Sequence, residues 1–264
     1  MTGDLLTTVV AAARRSALER ERRRISSDVG AGGRVSDGGR FVDALSAPGV
    51  RIIAECKRRS PSRGVLRAAY DPVEIARSYE RAGAAAVSVL TEPTFFDGRL
   101  ADLASIRRAV DLPLLRKDFI VTEYQVAEAT SAGADAVLLI AAALSQGELA
   151  ALLARAAADR LAALVEVHDA AELDRALNAG ARVIGVNSRN LRTLEVQPAV
   201  FDELAPRIPE GVVAVAESGL ATGQALRRLR DLGYDAFLIG ERFMTESNPG
   251  EALAGLIASA RAVP

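Results

Sequence analysis

Apolar residues in this chain fall into two kinds of stretch: short runs that are apolar almost throughout, and longer ones in which they recur every three or four positions. Four short runs follow a helix-like stretch through a glycine: AGAAAVSVL at 82–90, AGADAVLLI at 132–140, AGARVIGVN at 179–187 and LGYDAFLIG at 232–240. Their glycines, Gly83, Gly133, Gly180 and Gly233, recur about every 50 residues, the period of a repeated supersecondary unit. Glycine supplies the left-handed residue that closes a helix, so each segment reads as a helix end entering a strand. Four further strand-like runs alternate with these: VRIIAEC at 50–56, LPLLRKDF at 112–119, AALVEVH at 162–168 and VVAVAES at 212–218. Helices are expected at 71–81, 100–110, 122–132, 146–159, 170–179, 198–207, 221–232 and 250–261. Eight nearly all-apolar strands alternating with helices imply an α/β fold whose parallel sheet closes into a (β/α)8, or TIM, barrel. The rival, an open doubly wound sheet, would need a glycine-rich dinucleotide turn after its first strand, and ECKRRSPSRG is not G-x-G-x-x-G.

Ahead of the first strand, residues 4–24 read as an extra N-terminal helix and SSDVGAGGRVSDGG, 26–39, as a mobile linker. The expected organisation is one barrel domain over 1–264, with 1–48 as its helical extension and linker. The basic run RRSALERERRR, interspersed with glutamates, reads as a solvated helix face.

Composition narrows the partners. Half of the 264 residues are apolar and a quarter charged, the balance of a globular chain able to bury a large core. A net charge of −1 gives the surface as a whole no attraction for nucleic acid or an anionic membrane, so neither partner is expected and anion binding must be local. Cys56 is the only cysteine and His168 the only histidine, which excludes an internal disulfide and argues against a protein-built metal site. No basic leader precedes the first apolar stretch, and the longest apolar run, AVLLIAAAL, is too short to span a bilayer, so the expected location is the cytoplasm.

In such a barrel the chemistry lies at the C-terminal ends of the strands, and polar residues collect there. Strand 1 ends in Glu55 and Lys57, strand 3 in Lys117, strand 5 in Glu166, strand 6 in Asn187 and Arg189, and strand 7 in Glu217 and Ser218. Alternation puts Glu55 and Lys57 on the face of Ile53, toward the mouth, and turns Ala54 and Cys56 the other way. Any one of these charges alone is as well read as the first solvated residue after a strand. Gathered in one low-dielectric mouth, they perturb each other's pKa values and suit acid–base chemistry without a metal. Gly219 and Gly240, each ahead of a helical pattern, offer backbone N–H groups to a phosphate, and Ser60 and Gly64 after strand 1 are placed to close over it. His168 precedes Asp169, a candidate N-cap, and reads as structural; Cys56 reads as a small buried hydrophobe.

Together, IIAECKRRSPSRG, LLRKDFIV, ALVEVHDAAEL, IGVNSRNLRTLEV, VAESGL and FLIGERFM resemble the indole-3-glycerol phosphate synthase family of tryptophan biosynthesis, in order and spacing, from about residue 50 to 250. The resemblance implies a helix lying across the barrel mouth, a role open to 4–24. It also implies a small-molecule substrate, 1-(2-carboxyphenylamino)-1-deoxyribulose 5-phosphate, converted to indole-3-glycerol phosphate with loss of carbon dioxide and water and with no cofactor. By the same resemblance Lys117 is the general acid for ring closure, while Lys57, oriented by Glu55, holds the anthranilate carboxylate and donates a proton in dehydration. Glu166 is the acid–base partner in that step, Asn187 and Glu217 hydrogen-bond the sugar hydroxyls, and Arg189 holds the substrate at the mouth. Ser60, Ser218, Gly219 and Gly240 receive the phosphate. The chain departs from the family at GAGGRVSDGGR, where a prolyl stretch is more usual.

Without the resemblance, other readings stay open. One is another sugar-phosphate barrel enzyme, either an aldolase with Lys117 as Schiff-base nucleophile or a phosphoribosylanthranilate isomerase. The other is a non-catalytic phosphate-binding barrel, against which Glu55, Lys57, Lys117 and Glu166 speak, since binding phosphate requires none of them.

Overall fold

The computed structural model describes residues 5–22, 36–191 and 193–261. Eight parallel strands form the barrel: β1 Arg51–Cys56, β2 Ala86–Leu90, β3 Leu114–Lys117, β4 Ala136–Ile140, β5 Ala162–Val167, β6 Val183–Asn187, β7 Val213–Glu217 and β8 Ala236–Ile239. Each pairs with the next, and β8 returns to β1 with Ala236 opposite Arg51, so the sheet is closed and the open doubly wound alternative is excluded. The helices are α1 Leu5–Arg22, α2 Gly38–Ser46, α3 Pro72–Arg81, α4 Leu100–Arg107, α5 Glu123–Ser131, α6 Gln146–Ala158, α7 Ala170–Asn178, α8 Ala199–Leu204, α9 Gly223–Asp231, α10 Glu241–Met244 and α11 Pro249–Arg261. The helix expected at 198–207 is shorter: α8 passes into a 3-10 turn, Ala205–Arg207, at Pro206, which has no N–H to continue the ladder. No helix among the described residues is long and apolar enough to cross a membrane.

The four repeating glycines do close helices, with φ from 83° to 105°. In two of the repeats an aspartate follows just before the strand: Asp135 accepts the Leu114 N–H at 2.9 Å and Asp235 the Ala214 N–H at 2.8 Å. Strand alternation then divides the core in two. Ile53, Leu115, Leu138, Leu164, Val215 and Leu238 fill the barrel, while Ile52, Ala54, Val87, Val137 and Ile184 pack under the helices.

Two features of the N-terminal region differ from expectation. The linker read at 26–39 lies outside the described residues up to 35, but its last two glycines open α2, a helix capped by Asp37, whose side chain accepts the Arg40 N–H. Phe41 and Leu45, one turn apart, are fully buried and join the inner core. Gly38 makes the approach possible, because a Cβ there would stand 2.3 Å from the Ala162 nitrogen. The basic run in α1 is also more than a solvated face. Arg15 and Arg22 are exposed, but Arg14 reaches Glu148 at 2.7 Å, and Arg20 grips Glu128 with two bonds of 2.6 and 3.0 Å.

Candidate active site

The C-terminal ends of the strands surround a cavity of about 460 Å3, the size of a small-ligand pocket. Eleven of the residues singled out from the sequence line it, Glu55, Lys57, Lys117, Glu166, Asn187, Glu217, Ser60, Arg189, Ser218, Gly219 and Gly240, while Gly64, opposite Ser60, does not. Leu6 and Val9 bring α1 to the same cavity.

Alternation sets the charged centre. Glu55 projects inward beyond Ile53 and pairs with Lys57 at 2.8 Å, while Ala54 and Cys56 enter the helix-side core. From β3, the Lys117 ammonium reaches Glu166 at 2.9 Å and Glu217 at 3.3 Å. Burial works to lower the Lys117 pKa, but Glu166, Glu217 and Glu55 outweigh it and hold the ammonium well above its ordinary value. Burial likewise pushes both carboxylates up. For Glu166 the nearby Lys117 and His168 reverse this and hold it below the usual range, whereas Glu217, facing Glu166 and Glu55 with only Lys117 to offset them, is pushed up to about 7. The two carboxylates share one cation, so they titrate as a pair in which Glu217 takes up a proton more readily than Glu166. Glu217 Oε1 is buried and has no hydrogen-bond partner among the described residues, which leaves it available to a ligand.

Two glycines clear space for this cluster. A Cβ at Gly240 would stand 2.2 Å from Glu55 Oε2, and one at Gly185 would stand 2.1 Å from Glu217 Oε1. Gly240, read from sequence as a phosphate contact, makes room in the structure for a carboxylate; the matching role of Gly185 was not legible.

Around the rim, the segment after β1 folds into a small hairpin in which Arg59–Ser60 pairs with Gly64–Val65. Ser60 accepts the Arg63 N–H at 3.2 Å inside it. Arg58 pairs with Asp97 and Arg59 is exposed. Asn187 Oδ1 accepts the Arg189 N–H at 3.0 Å, leaving the amide nitrogen for a ligand, and Arg189 is steadied through the Leu194 carbonyl at 2.9 Å. Ser218 and Gly219 form a left-handed pair, with φ of 68° and 69°, at the turn after β7. Glu241 lies 3.4 Å from Arg63 and 3.7 Å from Arg189, so the loops after β1, β6 and β8 meet around one carboxylate.

Sequence reasoning missed the apolar wall. Phe96 and Phe119 face each other with ring centroids 6.5 Å apart, and Leu138, Ile140 and Leu191 continue the surface. A signal existed for Phe119: it is two residues past Lys117 and so shares its face by strand alternation. Sequence reasoning also missed the surroundings of His168. Asp169 does cap α7, but the ring of His168 lies between Glu166 and Glu172.

The family model of indole-3-glycerol phosphate synthase matches residues 7–256. The chain is similar to the indole-3-glycerol phosphate synthase of Parafrankia sp. (strain EAN1pec), 54% identical over 224 residues that cover 85% of this chain and 84% of that protein. It is 52% identical over 218 residues to indole-3-glycerol phosphate synthase 1 of Streptomyces coelicolor, covering 83% and 81% respectively. With that of Sulfurimonas denitrificans it shares 51% over 216 residues, 82% of each chain. Among solved structures, a 3-hexulose-6-phosphate synthase aligns with a TM-score of 0.62 at 13% identity over 80% of this chain and 99% of that one. Thiamine phosphate pyrophosphorylase from Pyrococcus furiosus gives 0.61 at 16%, over 81% and 98%; both likenesses bear on the fold alone. With a match along most of its length and relatives above half identity, the chain belongs to the indole-3-glycerol phosphate synthase family, the carboxy-lyases that close the indole ring in tryptophan biosynthesis.

Proposed function

We propose that ring closure in this enzyme is driven by Lys117 as general acid, on the strength of one observation: its buried ammonium stands between two carboxylates at the centre of the cavity. An ammonium so held stays charged across neutral pH, so it stabilises an oxyanion as it forms as well as donating to it. The aldolase alternative needs the opposite, a lysine whose pKa is lowered to give a free amine, and the carboxylates around Lys117 oppose that.

The substrate carries a carboxylate at one end and a phosphate at the other. Lys57, kept in place by Glu55, takes the anthranilate carboxylate, and the aromatic ring lies against Phe96 and Phe119. The turn at Ser218 and Gly219, the backbone at Gly240 and the hydroxyl of Ser60 take the phosphate, with Arg189 at the rim. Fixing both ends brings the ring carbon to the ketone carbon, and such positioning supplies on the order of 7 kcal/mol or more in well-oriented cases. The ring carbon that bears the carboxylate attacks the ketone, and the carbonyl oxygen takes the Lys117 proton to become a hydroxyl. The bond to the carboxylate then breaks, its electron pair returns to the ring, and carbon dioxide leaves. In dehydration that hydroxyl departs as water with a proton from Lys57, while Glu166 takes a proton from the neighbouring carbon. Asn187 and Glu217 hold the sugar hydroxyls. We place this chemistry in the cytoplasm, where a phosphorylated substrate and a lone thiol belong.

The direct test supplies the carboxyphenylamino substrate to the purified protein and follows indole fluorescence. Its steady appearance, with release of carbon dioxide, is the expected result; no signal from folded protein would overturn the reading.

A further inference from the structure

Glu166 shares its two carboxylate oxygens between two cations. Oε2 meets Lys117 at 2.9 Å, and Oε1 lies 3.3 Å from Nε2 of His168, the one histidine in the chain. His168 stands behind Glu166 and off the cavity wall, with its side chain 14% exposed. Its other ring nitrogen, Nδ1, is 3.0 Å from Oε2 of Glu172, and the same oxygen accepts the His168 backbone N–H at 2.8 Å. Glu172 is fixed in the first turn of α7, where Asp169 accepts the Glu172 N–H at 2.8 Å. The imidazole is therefore held between two carboxylates. A neutral ring with its one N–H on Glu172 would turn the Nε2 lone pair toward Glu166; only the imidazolium presents positive charge to both carboxylates.

We propose that His168 is a positioning residue for the reaction: anchored on Glu172, its imidazolium stands behind the Glu166 carboxylate and keeps it ionised beside Lys117. The proposal rests on the reading of Glu166 and Lys117 as acid–base groups. Burial works to lower the pKa of His168, but Glu166 and Glu172 outweigh it and push it up to about 10, so the charge persists through neutral pH. Among the described residues, the charged groups that face the ring are Glu166 on β5 and Glu172 on α7, and Lys117 on β3 and Glu217 on β7 reach it only through Glu166. Nε2 is not aligned for a hydrogen bond. The contact is thus an ion pair that sets the charge of Glu166 without drawing the carboxylate off Lys117.

One histidine gives one set of imidazole nitrogen resonances, so its protonation can be read in the untagged, intact enzyme. The ring is expected to be doubly protonated at pH 7.5, and by reciprocity Glu166→Gln should lower its titration midpoint by about one unit or more. In kinetics, His168→Asn and His168→Gln should reduce kcat about tenfold or more, with KM within about twofold. The acid limb of the kcat–pH profile should move to higher pH, since Glu166 has lost one of its two cations. Glu172→Gln should move it the same way by less. A wild-type ring titrating near the ordinary 6.5, or at the same pH in wild type and Glu166→Gln, overturns the proposal. So does a loss of kcat with the acid limb unmoved, the mark of a merely structural role. Should the His168 variants fail to fold, the imidazole titrations and the Glu172→Gln profile decide. Near-normal turnover by Glu166→Gln is a separate outcome: it sinks the acid–base reading of Glu166 and leaves the titrations to report the ion pair alone.

Discussion

Three carboxylates act on the Lys117 ammonium, with Glu166 and Glu217 in contact and Glu55 farther off. Lys117→Met keeps the aliphatic stem and removes the charge, so turnover is expected to fall by about a hundredfold or more while circular dichroism stays unchanged. Near-normal activity would sink its assignment as the acid. Glu217 offers a test in pH. Its folded-state pKa is raised from the ordinary 4.5 to about 7, so its contribution to stability is full below pH 4.5 and lost as pH rises through 7. Glu217→Gln removes that dependence. Urea unfolding should therefore show the variant gaining about 1–3 kcal/mol on the wild type between pH 5 and pH 8. The strand-end charges were legible because a period of two fixes which residues face the mouth. Partner choice was not: His168 meets Glu166 across one strand residue but is anchored by a helix, and Gly185 serves a carboxylate that lies 32 positions away in the sequence.

Helices α1 and α2 show what an element adds to a barrel already closed. Arg20 of α1 grips Glu128 of α5, which also faces the fully buried Arg116, itself paired with Asp118 at 2.9 Å. The residue between Arg116 and Asp118 is Lys117, so both of its chain neighbours are tied into the network that docks α1. Arg20→Ala leaves Glu128 to Arg116 and is expected to cost about 1–3 kcal/mol in chemical denaturation, an effect that a solvated arginine would not show. At the opposite end of the barrel, Phe41→Ala empties the α2 plug, and the expected loss is about 3–5 kcal/mol. A loss under about 1 kcal/mol would mean that α2 merely rests on the surface. Composition hid α2, since glycine and serine around it carry the signature of a linker. Its actual signals were local: Asp37 as cap, and Phe41 and Leu45 one turn apart.

For the whole molecule, the recurring glycines foretold the architecture, because each marks where a helix must stop so that the next strand can enter the sheet. The shape of the cavity was less legible. Phe96 and Leu191 belong to loops between elements, and loop paths follow no period. Closure of the sheet also has a consequence for the chain's lone thiol. Cys56, between Glu55 and Lys57, is wholly buried on the helix side of β1, and its pKa is driven far up by burial and then by Glu55 and Asp102. It is both shielded and protonated, so a thiol reagent reaches it only when β1 parts from its neighbours. Alkylation of the native enzyme should therefore proceed at a rate set by opening of the barrel, slow further with a bound substrate analogue, and become immediate in denaturant. Rapid labelling of the folded enzyme would contradict this. The protein carries a single intrinsic clock inside the strand that bears Glu55 and leads into Lys57, and mass spectrometry can read it without adding a probe.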